Sequence, residues 1–288
     1  WFDLGSLTKI FTATLALSLD RQGALPLDLP LRKVFPEAPP PLADEPVGNL
    51  LRHRAGLTAW YPFYAVCETP AEVLPRILSD DLLGAPPDTY SDLDLLLYGF
   101  AAERVTGHGL IDLLRRQVLE PLGLRSTVPS PGALPQVVPC RLDNGQEVRL
   151  AAEMGIPVRR QEAPPLGVVQ DGNARFFGGF AAHAGLFAPA EDLLTLAREW
   201  LDPGDVLDPE RVERALEGDQ RHGLVWVVHS LPQMVGDGIS AAAFGHTGFP
   251  GGSVWIDPLS SQIYVLLAHK TASAVNMKPW RRRFQGLL

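Results

Sequence analysis

The chain has 288 residues, 46% of them hydrophobic and 20% charged, enough for one large core or two lobes sharing an interface. A formal net charge of −8 and a pI near 5.4 leave no electrostatic footprint for nucleic acid or an anionic membrane. The one dense basic run, Arg281-Arg282-Arg283, suits the last turn of a helix; Cys67 and Cys140 match no metal spacing and read as two separate thiols; and no apolar run approaches the roughly 18 residues of a membrane span.

In chain order, residues 6–22 predict a helix: a Ser start, apolar side chains on nearly every face, and Gly23 at the stop. A helix apolar all round is a buried one. Ala38-Pro39-Pro40-Pro41 and Ala85-Pro86-Pro87 mark loops. Further helices are expected at 91–106, 111–119, 190–201 and 209–217, the last with Asp208 as N-cap and Pro209 at its first position. From about 223 the pattern turns to short β-branched and aromatic runs, at 224–229, 242–248, 252–257 and 262–269. Gly and Pro separate the second run from the third, and Asp257-Pro258 the third from the fourth, which predicts antiparallel strands joined by hairpins. Trp226 and Trp255 read as sheet core, and a last helix is expected over about 273–286. The fold class is therefore α+β. Residues 1–37 hold the first helix and its loop, 38–222 a mainly helical lobe, and 223–288 the antiparallel strands and C-terminal helix.

Three short motifs carry chemistry. Ser6-Leu7-Thr8-Lys9 sets a hydroxyl and an amine one turn apart on a buried helix, so both project from one face. Burial disfavours the charged amine and makes it a candidate base, and the helix N-terminus favours the negative charge of an acyl transition state. Tyr90-Ser91-Asp92 lies between a Pro-rich loop and a helix, where the phenol can shuttle a proton. Ser91 or Asp92 can equally act there as a simple helix cap. His246-Thr247-Gly248 ends a predicted strand; the glycine admits a substrate backbone, and the Thr hydroxyl and imidazole can bind a polar acceptor.

Taken in this order, the motifs resemble those of the serine β-lactamase and D,D-peptidase superfamily, and the leading Tyr of the second motif points to its class C β-lactamase and esterase branch. Leu50-Leu51-Arg52-His53-Arg54-Ala55-Gly56-Leu57, Tyr90 through Gly107, Pro121-Leu122-Gly123-Leu124, and Gly178-Gly179 through Leu193 resemble further segments, so the similarity covers nearly the whole chain. The resemblance implies a β-lactamase/transpeptidase-like fold, an antiparallel sheet flanked by helices, and an acyl-enzyme on Ser6. Lys9 would activate the hydroxyl and Tyr90 would relay protons. The backbone N–H groups of Ser6 and Phe249 would form the oxyanion hole. Asp92, His246, Thr247 and Gly248 would bind substrate, with no metal or organic cofactor.

The implied substrate is a small molecule or peptide: a β-lactam, a D-Ala-D-Ala peptide, or a short ester or amide. A penicillin-binding or sensor domain with a relic site is the alternative. An α/β-hydrolase is excluded, because no G-x-S-x-G pentapeptide occurs. The second motif ends in Asp92 where lactamases carry Asn, and the strand motif opens with His246 rather than Lys. A neutral imidazole there predicts that small neutral esters are preferred to penicillins and cephalosporins. Relatives have a helix and strands ahead of the nucleophile, whereas five residues precede Ser6, so an incomplete chain with an exposed sheet edge is expected. The remaining histidines show no i, i+4 metal pairing, and Gln170-Asp171-Gly172-Asn173-Ala174 reads as a structural turn.

Overall fold

The computed structural model describes residues 1–86, 89–218, 222–228, 238–270, 272 and 275–286. A 3₁₀ turn, Gly5–Leu7, leads directly into helix α1, Thr8–Arg21. Every residue of α1 from Thr8 to Leu19 is buried, as its apolar sequence requires. Even its polar members are tied inside: Thr14 Oγ1 donates to Ile10 O at 2.8 Å and accepts from Trp200 Nε1 at 2.8 Å. Gly23, in the left-handed conformation at φ +67°, closes the helix where the sequence placed its stop.

The sequence starts the helix at Ser6; the structure puts Ser6 in the preceding 3₁₀ turn. Gly5 makes this possible, because it adopts φ +49° and a Cβ there would lie 2.5 Å from Pro250 Cδ. The close approach seats the Gly5–Leu7 turn against the loop that follows the His-Thr-Gly strand.

The helix Asp92–Thr106 begins at Ser91, whose Oγ accepts from Leu93 N at 3.1 Å and Asp94 N at 3.3 Å, and ends at Gly107 at φ +69°. Helices at Ala190–Leu201 and Pro209–Leu216 also agree with the expected spans, and Asp208 Oδ1 accepts from Arg211 N at 3.0 Å as the N-cap. The segment expected at 111–119 divides into an α-helix, Leu110–Leu114, and a π-helical turn, Arg115–Leu119. The last helix is shorter than expected, Lys278–Gln285: Pro279 in its first turn lacks an N–H and fixes the start.

One sheet is antiparallel in the order β4-β5-β6, with β4 Phe244–Thr247, β5 Ser253–Asp257 and β6 Gln262–Leu266. Thr247 pairs with Ser253 across the Gly248–Gly252 turn. β6 stops at Leu266, its partner Ser253 being the first residue of β5, so the expected run to His269 loses its ladder there. A second small sheet, β1-β3-β2, joins Phe2–Asp3, Leu186–Ala188 and Val128–Pro129.

The strand expected at 224–229 is not one. Among its described residues only Val227 bridges the sheet, exchanging hydrogen bonds with Gly245 at 2.9 and 3.1 Å. Val225 sits at φ +55°, and the amides of Leu224 and Val225 turn instead to Ala215 O and Leu51 O. Residues 229–237 of this stretch lie outside the described residues.

One continuous core joins α1, the Asp92–Thr106 helix and the inner face of β5. Trp226 is buried within it, whereas Trp255 packs with Tyr264 in a smaller cluster on the other face of the sheet. The two thiols are free, and no helix among the described residues is long and apolar enough to cross a membrane.

Candidate active site

The 3₁₀ turn and α1 bring Ser6 and Lys9 together, with Lys9 Nζ donating to Ser6 Oγ at 2.9 Å. The ammonium is wholly buried and also donates to His183 O at 3.1 Å; Asp92 Oδ1 stands 2.7 Å away as its counterion. Burial alone would push the Lys9 pKa down, but Asp92 and Tyr90 outweigh it and hold the pKa above its ordinary value. Asp92 of the second motif thus opposes the neutral amine that burial alone would favour. At neutral pH Lys9 is a cation.

Tyr90 arrives on the loop before Ser91 and neighbours Ser6 and Lys9, with Lys9 Nζ 5.1 Å from the centre of its ring. Burial raises its pKa against the opposing pull of the Lys9 charge. The Tyr90 ring lies 4.4 Å from the ring of His53 and 6.0 Å from that of His246. From β4, His246 and Thr247 face the same cavity as Ser6, followed by Gly248 and Phe249. Only glycine fits at 248, since a Cβ would meet Leu4 O at 2.4 Å. His246 is buried, and burial together with the Lys9 charge pushes its pKa down to about 3. It is a neutral imidazole across the physiological range.

Two cavities open onto Ser6. The first, about 440 Å³, runs along the His-Thr-Gly strand and is walled by Lys270, Lys278 and Arg281. Burial lowers the Arg281 pKa to about 10, which leaves it charged at pH 7. The second, about 290 Å³, is lined by Trp60, Tyr90, Asp92, Glu147 and Asp171. Burial and the neighbouring Asp171 raise Glu147 to about 7, while its oxygens accept from Tyr64 Oη at 2.7 Å and Gly172 N at 3.0 Å. Asp92, Asp171 and His183 are the group with metal-ligand spacing among the described residues, their ligand atoms lying within 4.8 Å of one another. The Lys9 ammonium against Asp92 already supplies a cation to this group.

A profile of the family described as Beta-lactamase matches residues 1–287. The chain belongs to the β-lactamase family. Among curated relatives, a putative D-alanyl-D-alanine carboxypeptidase of Escherichia coli K12 is 30% identical over 95% of this chain and 70% of its own length. Two solved structures share the fold: the hydrolase EstCE1, titled as having promiscuous acyltransferase activity, and a class C β-lactamase from Rhodobacter sphaeroides. EstCE1 is 19% identical with a TM-score of 0.76, the lactamase 22% identical with 0.71; each match covers 99% of this chain and 84% of the other.

Several residues of this β-lactamase-family site escaped the sequence reading. His53, at φ +57°, accepts from Ser91 N at 3.1 Å through Nδ1 and so braces the second motif from beneath Tyr90. Its place in the Leu-Leu-x-His segment was the available signal. Asp171, read as a turn residue, does cap Ala174 at 2.7 Å, but it also pairs with His183 Nε2 at 3.0 Å beside Lys9. Lys270, Lys278 and Arg281 carried no local signal, because only the tertiary fold brings them to Ser6.

Proposed function

We propose that the chain is a serine acyl-hydrolase whose substrate carries a carboxylate on the leaving-group side, as a peptide ending in D-alanyl-D-alanine does. Ser6 Oγ attacks the carbonyl carbon as its proton passes to Lys9 in its neutral form, which the raised Lys9 pKa makes scarce at pH 7, and Tyr90 takes the proton on from Lys9. The tetrahedral oxyanion is met by the Ser6 and Phe249 amides. Its collapse breaks the C–N or C–O bond, Tyr90 returns a proton to the leaving group, and water then hydrolyses the Ser6 ester. Asp92, His246, Thr247 and Gly248 border the substrate.

The observation that carries this reading is the trio Lys270, Lys278 and Arg281 on the wall of the cavity that contains Ser6 and His246. It supports carboxylate-bearing substrates over the neutral esters expected from His246 alone. His246 provides no charge, but the wall provides it, and a carboxylate in a half-buried site against a guanidinium gains a charge-assisted hydrogen bond. The name of the Escherichia coli relative agrees with such a substrate.

The test compares kcat/KM for an acylated D-alanyl-D-alanine peptide with that for its C-terminal amide at pH 8. The free acid should be favoured by roughly tenfold or more, the ratio expected from one charge-assisted contact; equal rates would exclude carboxylate recognition. Fluorophosphonate should add one adduct to the wild type and none to Ser6→Ala. A second reading, a domain that is acylated and holds its adduct, is favoured by the buried Lys9 ammonium, whose charge Asp92 stabilises against use as a base. Intact mass after a β-lactam chase separates the two by whether the adduct decays.

A further inference from the structure

The Gly248–Gly252 turn carries the Phe249 amide, and three of its carbonyls converge on one atom of the C-terminal helix. Arg281 Nη2 donates to Gly248 O at 3.2 Å, Gly251 O at 2.9 Å and Gly252 O at 2.9 Å. Three carbonyl dipoles aimed at one point repel one another unless a cation sits there. Arg281 is half-buried, its Nε is sealed from water without an acceptor among the described residues, and the group remains charged.

The Gly248 carbonyl and the Phe249 N–H belong to one peptide plane, and in a trans peptide they point in opposite directions. Whatever fixes the carbonyl therefore aims the N–H. Arg281 Nη2 and Gly251 N, the latter at 3.1 Å, both hold Gly248 O. The Phe249 N–H itself donates to no protein acceptor among the described residues, and Phe249 lines both cavities that meet at Ser6. A hydrogen bond to the carbonyl also polarises the amide and strengthens its N–H as a donor.

We propose that Arg281 is a positioning residue for the oxyanion hole: from the C-terminal helix it locks the Gly248–Phe249 peptide plane so that the Phe249 N–H faces the acyl carbonyl. The proposal rests on the reading of the Ser6 and Phe249 amides as that hole. It gives Arg281 a task apart from carboxylate binding, one that applies equally to substrates with no carboxylate.

The experiment therefore uses a neutral nitrophenyl acetate, with Arg281→Met and Arg281→Lys, and expresses rates per Ser6 titrated with fluorophosphonate. Removing an oxyanion donor outright costs about 10²–10³ in rate, and loosening one should cost about 10- to 100-fold. Arg281→Met should lose that in kcat while KM moves less than about threefold, and affinity for a phenylboronic acid, which forms a tetrahedral adduct, should fall in parallel. Arg281→Lys keeps a cation of shorter reach and should lie between the two.

Unchanged kcat per titrated site and unchanged boronate affinity in both variants would overturn the proposal. If Arg281→Met does not fold, Arg281→Lys decides by the same pair of measurements: a matched loss supports the positioning role and no loss overturns it. A wild type that takes no fluorophosphonate at Ser6 overturns the acyl-hydrolase reading and this proposal with it. A labelled wild type with unaffected variants overturns the proposal alone.

Discussion

Asp92 raises the Lys9 pKa more than any other neighbouring side chain does. Its carboxylate stands 2.7 Å from the Lys9 ammonium, in a site where burial would otherwise favour the neutral amine. A raised Lys9 pKa means that the neutral amine is scarce at pH 7 and becomes commoner as pH rises, so acyl transfer should climb toward an alkaline plateau. Asp92→Asn removes the counterion, lowers the Lys9 pKa and should move the acidic limb of the kcat/KM profile to lower pH by one unit or more, on the order of the Coulomb effect of one close charge. An unmoved limb would mean that Asp92 does not govern the proton on Lys9. The motif itself was legible because Ser6 and Lys9 are neighbours along one helical turn. The charge state turns on Asp92, which the second motif supplies from another element, and on Asp171, whose approach to Lys9 no local pattern reports.

At the scale of elements, the helix that presents Asp92 is positioned by Ser91. Its Oγ caps the helix and donates to Thr58 O at 2.7 Å, and its amide is held by His53. Ser91→Ala should cost about 1–2 kcal/mol of stability in urea unfolding, as the loss of an N-cap does. It should also lower kcat, because Tyr90 and Asp92 flank the cap. Asp208→Ala removes the cap of the remote Pro209–Leu216 helix and should cost about 1 kcal/mol with kcat unchanged. Equal activity in the two variants would show that the cap does not position the site. Caps, Gly stops and apolar periodicity made these helices readable from sequence nearly to the residue. The run at 224–229 misled for the opposite reason. Its β-branched and aromatic residues fit a strand, but Val225 takes a left-handed turn and its amide pairs with the helical region at Leu51 O. Tertiary hydrogen bonding overrode local propensity.

For the molecule as a whole, the arrangement that builds the site also buries a carboxyl group that the site does not need. Asp94 is 1% exposed, neither of its oxygens meets a donor of good geometry among the described residues, and His53, 4.0 Å away, is itself held neutral by burial and by the Lys9 charge. Burial, opposed only in part by the Ala55 amide, raises the Asp94 pKa well above its ordinary value. For an acid whose folded-state pKa is raised, stability is fully present below the unfolded-state value near 3.8 and is lost as pH rises through the folded-state value. Neutral pH is thus the costly side for the wild type. Asp94→Asn keeps the shape and a carbonyl acceptor and has no proton to hold, so it should unfold at higher temperature than the wild type at pH 7.5. The gain should be about 2 °C or more, the shift that roughly 1 kcal/mol produces in a chain of this size. Near pH 4 the wild-type carboxyl is protonated in the core at little cost, and the two melting temperatures should converge. Thermal unfolding of both proteins across pH 4 to 8 checks the sign directly. A difference that is constant with pH, or that grows toward pH 4, would show that Asp94 is ionised in the folded protein and stabilised by a partner. In that case His53 beneath Tyr90 would carry the matching proton.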